Sequence, residues 1–175
     1  MKQTVLMVFA VLLLTACSAY NQIHTSEKNG LKKMALVQTP EVNLLNEKAG
    51  LTEISGLKVT TVYLYQEKAG ARPLVTLDVK IENQVDELPD SSVTITLDGE
   101  NVQLSSVEGR YDMAENLWVP IVHAQNIQYK LTSNHDVLVV GLNEKQNKQL
   151  IDFFNKAIKH RDILFPAIPP GMKKW

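Results

Sequence analysis

From Leu57 to Leu142 the chain returns again and again to a repeat of two, and that rhythm restricts it to extended segments paired side by side. Val75, Leu77, Val79 and Ile81 alternate with Thr76, Asp78, Lys80 and Glu82. Successive side chains of a strand leave opposite faces, so this pattern suits a sheet with one dry and one wet face. Just before it, Val59, Thr61, Tyr63 and Tyr65 alternate with Thr60, Val62 and Leu64, placing bulk on both faces of a strand. The loop Lys68-Ala69-Gly70-Ala71-Arg72-Pro73 separates the two runs and predicts a hairpin. A second hairpin joins Val93–Leu97 to Val102–Leu104 across Asp98-Gly99, a favoured short-turn pair. Leu117–Val122, Ile127–Thr132 and Val137–Leu142 are three further expected strands, the last two joined by a turn at Asn134-His135-Asp136. About six or seven strands at this spacing predict an antiparallel β-sandwich or partly closed barrel.

At Asn143 the period changes. Asn143 and Gln146 form an Asn-x-x-Gln capping box, and Leu150, Phe153, Phe154, Ala157 and Ile158 recur at helical steps along one face. Lys156, Lys159, His160 and Arg161 fall in the last turns, where cations suit the helix dipole. The expected class is therefore α+β: a mainly antiparallel β-sandwich or partly closed barrel with one C-terminal helix, as a single domain over residues 31–161. Within it, residues 31–56 are ambiguous. Leu31, Met34, Leu36 and Val37 suit a strand, and Val42, Leu44 and Leu45 a short helix or turn, with Pro40 and Gly50 as punctuation.

The N-terminus carries a different signal. Lys2 precedes an unbroken apolar run, Val5 to Leu14, followed by Thr15-Ala16-Cys17. Ten helical residues rise about 15 Å, roughly half of a ~30 Å hydrocarbon core, so the run suits a signal peptide better than a membrane span. Leu14-Thr15-Ala16-Cys17 resembles the lipobox of bacterial lipoproteins, a leucine and two small residues before an obligatory cysteine. The resemblance is confined to the leader. It implies that Cys17 receives a diacylglyceryl thioether, that cleavage follows Ala16, and that the new α-amine can be acylated. Two or three acyl chains at ~0.8 kcal/mol per buried methylene hold a protein on a membrane durably, whereas one does not. Ser18 resembles the residue that follows the cysteine in lipoproteins passed to the outer membrane. The resemblance thus implies an outer-membrane anchor facing the periplasm, with the inner membrane or cell surface as alternatives. Residues 1–16 then form the signal peptide, and the polar stretch 17–30 a lipidated tether.

Several function classes fall to composition. Eighteen basic residues against 19 acidic leave a net charge of −1, and aromatic residues are 6% of the 175, so no basic field or stacking platform for nucleic acid is present. One cysteine permits neither an internal disulfide nor a thiolate cluster. No G-x-S-x-G elbow, P-loop, dinucleotide fingerprint or H-E-x-x-H occurs, so no catalytic, cofactor-binding or metal-binding residue is assigned. His24 falls in the tether, His123 at a strand end, His135 in a turn and His160 at a helix end, where it is expected to be solvated. Asp86, Glu87 and Asp90 surround Leu88-Pro89 and read as a wet loop, with weak calcium binding as the alternative.

The last segment, 162–175, is unusually apolar for a chain end: Ile163, Leu164, Phe165, Ile168, Met172 and Trp175 stand around Pro166, Pro169 and Pro170. Ile163–Ile168 is expected to pack on the domain, leaving Met172 and Trp175 as possible partner contacts. Together these features predict a lipid-anchored, non-enzymatic envelope module that binds a protein partner or assists assembly. A carrier of an apolar ligand in a β-sandwich or barrel pocket, and an enzyme whose site is assembled from distant residues, are the alternatives.

Overall fold

The computed structural model describes residues 23–44, 57–66, 72–81, 92–107, 110–132 and 137–166. Among these lie ten strands and two helices, in the order β1 (Ile23–Lys28), β2 (Leu31–Gln38), β3 (Glu41–Leu44), β4 (Leu57–Gln66), β5 (Leu74–Ile81), β6 (Ser92–Leu97), β7 (Glu100–Val107), β8 (Arg110–Asp112), α1 (Glu115–His123), β9 (Ile127–Thr132), β10 (Val137–Gly141) and α2 (Glu144–Leu164). Every strand pair is antiparallel, and the strands form one ladder, β1-β2-β4-β5-β8-β7-β6-β9-β10-β3. The α+β class is therefore as expected.

The ladder is open, with β1 and β3 at its edges, but it cannot be flat. Thr39-Pro40 alone separates β2 from β3, a reach of about 11 Å over three Cα steps. In a flat sheet their eight strand spacings would set them ~38 Å apart. The ladder must bend back on itself, which gives a sandwich-like arrangement rather than a closed barrel. β7 marks the corner: Glu100–Leu104 pairs with β6, and Ser105–Val107 with β8. Alternation selects what faces inward. Leu57, Val59, Thr61 and Tyr63 of β4, Val93, Ile95 and Leu97 of β6, and Ile127, Tyr129 and Leu131 of β9 are buried. Leu150, Phe153, Phe154 and Ala157 of α2 close the core.

Both predicted hairpins form, β4 with β5 and β6 with β7. Asp98 and Gly99 take φ of 49° and 94°, the left-handed region that a tight two-residue hairpin demands and that glycine enters without strain. The Asp98 carboxylate also accepts from the backbone N–H of Gln125 and Asn126, at 3.0 and 2.8 Å, tying the turn to the segment after α1.

Four expectations change. Leu117–Val122 is not a strand but most of α1. An unbroken apolar run has no period of its own, and Leu117, Trp118 and Ile121 turn inward at helical spacing. The indole N–H of Trp118 donates to Met113 O at 2.7 Å, and Pro120 sits on the exposed side of the helix. Among the described residues there are therefore two helices, where one was expected. Second, Ile23–Lys28 is strand β1 rather than tether. Asn29-Gly30, both at positive φ, is the hairpin signal that places it beside β2. Third, Glu41–Leu44 is strand β3, where a short helix or turn was expected. Fourth, Ile163 is 69% exposed and Phe165 is exposed too, so the start of the tail does not pack down as expected. α2 itself runs to Leu164, and the capping box at its start has both reciprocal bonds, Gln146 N–H to Asn143 Oδ1 at 2.9 Å and Asn143 N–H to Gln146 Oε1 at 3.0 Å.

Candidate functional site

Charge and aromaticity concentrate where the last turns of α2 cross the start of α1 and the residues leading into β5. Arg161 lies at the centre. Its Nη1 donates to Glu115 Oε1 at 3.1 Å, and its Nη2 and Nε donate to Asp162 Oδ1 at 2.7 and 2.9 Å. Glu115 spans two arginines, because its other oxygen accepts from Arg72 Nη1 at 3.4 Å. The guanidinium of Arg161 stands 5.8 Å from the centre of the Trp118 ring, a cation–π distance. Arg72, Pro73, Glu115, Arg161, Asp162 and Phe165 line an open cleft of about 350 Å³ here.

The local sequence explains the convergence. Trp118 stands three residues after Glu115, so one turn of α1 sends the carboxylate to the cleft and the indole to the core. On α2, Phe154, Ala157 and Arg161 follow at steps of three and four, so Arg161 ends the same stripe that packs the helix. Trp118 contacts Phe154 at 6.2 Å and Tyr63 at 6.3 Å between ring centres, which sets the base of the cleft on the core.

Beside the cleft, His160 lies over β4. Its Nδ1 shares a 2.5 Å hydrogen bond with the Tyr63 hydroxyl, and its ring meets those of Tyr63 and Tyr65 edge-on at 5.6 and 5.4 Å. Burial lowers the His160 pKa, Lys32 pushes it the same way, and Glu27 opposes. Burial pushes the Tyr63 phenol up to about 12. The expectation of a solvated His160 is thus corrected: the helix end that bears it rests on the sheet.

Among the described residues the other sequence candidates are not brought together. Cys17, His135, Asp86, Glu87, Asp90, Met172 and Trp175 lie outside the described residues. His24 is exposed on β1, and His123 is the exposed last residue of α1. No three His, Cys, Asp or Glu side chains converge on a metal position among the described residues. Ser55-Gly56-Leu57-Lys58 has the S-x-x-K spacing that sequence reasoning missed. That spacing joins Ser to Lys on a helix, whereas Leu57 and Lys58 belong to strand β4 and Ser55 lies outside the described residues. Chemically, both oxygens of Glu115 are engaged by arginine, and His160 Nδ1 is engaged by a tyrosine. The cluster is suited to holding elements together and to contact with a polar surface. Comparison with protein families, curated proteins and solved structures found no match.

Proposed function

We propose that the chain is a lipid-anchored cell-envelope protein, held by acylated Cys17 at the periplasmic face of the outer membrane, where it acts without catalysis as a protein-binding or assembly module. The observation that carries this reading is the lipobox Leu14-Thr15-Ala16-Cys17 behind a short apolar run. The start of β1 at Ile23 supports it further. Five residues lie between it and Cys17, six Cα steps with a reach of about 22 Å at most, so the domain would work close to the bilayer. No helix among the described residues is long and apolar enough to cross a membrane, so the lipid supplies the attachment in this reading. Ile163 and Phe165, exposed at the end of α2 beside the ionic cleft, offer an apolar contact with a polar rim.

Mass spectrometry of the mature N-terminus tests the anchor. Expressed in a bacterial host, the chain should begin at Cys17 with a diacylglyceryl group, and Cys17→Ala should keep its leader and take up no fatty acid. A mature chain with an unmodified Cys17 would overturn the proposal.

A further inference from the structure

Tyr63 is 1% exposed, so its hydroxyl cannot turn to bulk water for a partner. Its raised pKa keeps it protonated, and that proton always requires an acceptor. Neutral imidazole offers a lone pair at Nδ1; imidazolium carries protons on both nitrogens and offers none. Imidazolium can still donate from Nδ1 to the phenol oxygen, but the buried phenol proton would then lose its acceptor, so the contact is fully satisfied only with the neutral ring.

The surroundings reinforce that dependence. The rings of Tyr63 and Tyr65 cover the imidazole edge-on, which removes part of the water that would solvate a charge. Lys32 of β2 faces it with like charge, and Glu27 of β1 is the opposing acid. On α2 itself the next residue, Arg161, is a second cation, which already commits its guanidinium to Glu115 and Asp162. We propose that His160 and Tyr63 form an acid-sensitive latch, which holds the last two turns of α2 against β4 when the imidazole is neutral and releases them when it is protonated. Release moves Arg161 with the helix end, away from Glu115 and Trp118, and so opens the cleft.

The sign follows from the lowered pKa of His160. A free histidine titrates near pH 6.5, and the latched one lower, so the latch contributes fully above about pH 6.5 and is lost as pH falls through the folded value. Glu27 sets how low that value can go, because its carboxylate favours the charged ring.

Amide hydrogen exchange on the full chain in detergent micelles, corrected for intrinsic rates, tests the latch between about pH 8 and about pH 5. Protection over 158–164 should fall severalfold relative to 147–151 of the same helix. His160→Asn places an amide oxygen where Nδ1 stands and does not titrate, so its protection should stay level across the range. A wild-type profile without the selective loss, or the same loss in His160→Asn, overturns the latch. Should that variant fail to fold, NMR titration of the wild-type imidazole decides. A midpoint below about 6.5, with the Tyr63 ring signals moving alongside, supports the latch, and a midpoint at or above it overturns it.

Discussion

The two ends of α2 are held by opposite kinds of chemistry. At the first turn, Asn143 and Gln146 cap each other. Gln38 donates through Nε2 to Gln146 O at 2.8 Å, Gln146 Nε2 donates to Thr39 O at 3.1 Å, and Asn147 Nδ2 donates to Gln125 O at 2.9 Å. Every one of those groups is neutral, and three of the bonds end on backbone carbonyls. At the last turns the partners are a histidine on a tyrosine, an arginine between two carboxylates, and a guanidinium over an indole. Neutral amide bonds respond to neither pH nor salt over the ordinary range, whereas each contact at the far end responds to one or the other. A single helix thus has a constant end and an adjustable end.

Trp118 carries the most weight at the adjustable end. It is fully buried, touches Tyr63 and Phe154, underlies Arg161 and satisfies Met113 O, so it joins the adjustable end to the core. Trp118→Ala removes the largest buried side chain among the described residues and should lower stability by about 3–5 kcal/mol, measured by urea unfolding. The loss should also remove any dependence of helix-end protection on pH, because His160 would lose the base under its neighbours. A cost below about 1 kcal/mol would show that the aromatic cluster is not part of the cooperative core.

Asn143→Ala probes the constant end. One cap removed should cost about 1 kcal/mol, with exchange accelerated over the first turn alone and by the same factor at acid and neutral pH. A pH-dependent effect there would break the contrast, since the capping pair contains no group that titrates in that range.

How much of this was legible follows the same division. The capping box is a contact between residues three apart, and the Asp98-Gly99 turn lies wholly within four, so both could be read from adjacent letters. The inward face of β5 was legible because alternation repeats one decision many times, whereas β4 carries bulk on both faces and its strand alone could be read, not which face is buried. α1 was misread because Leu117 to Val122 is apolar at every position and so shows no period of its own. β1 was readable from Asn29-Gly30, but its five exposed residues of six supply no apolar alternation to draw attention to it. The site was least legible. Tyr63 and His160 are 97 residues apart, Glu115 and Arg161 are 46 apart, and each looks like an ordinary strand or helix residue until the ladder bends. Nothing local marks a contact that only the tertiary fold creates.

The smallest expected effect concerns the outer arm of the ionic cluster. Arg72 and Arg161 share the same carboxylate, yet their side chains are 80% and 20% exposed, and their bonds to Glu115 are 3.4 and 3.1 Å. The Arg72 contact is long and solvent-exposed, so the Coulomb gain barely exceeds the entropy of holding a flexible side chain. Arg72→Ala should therefore change stability by no more than about 0.5 kcal/mol, and that small difference should vanish as salt is raised. Arg161 is half-buried between the helices it joins and has three donors engaged, so the effect of its truncation should persist in high salt, strip the cover from Trp118 and leave Glu115 with Arg72 alone. Urea unfolding of both variants at low and high salt separates them. If Arg72→Ala costs over about 1 kcal/mol regardless of salt, the cleft is a rigid network reaching to the surface. The adjustable end of α2 would then be as firmly built as the constant one, and the contrast between them would rest on His160 alone.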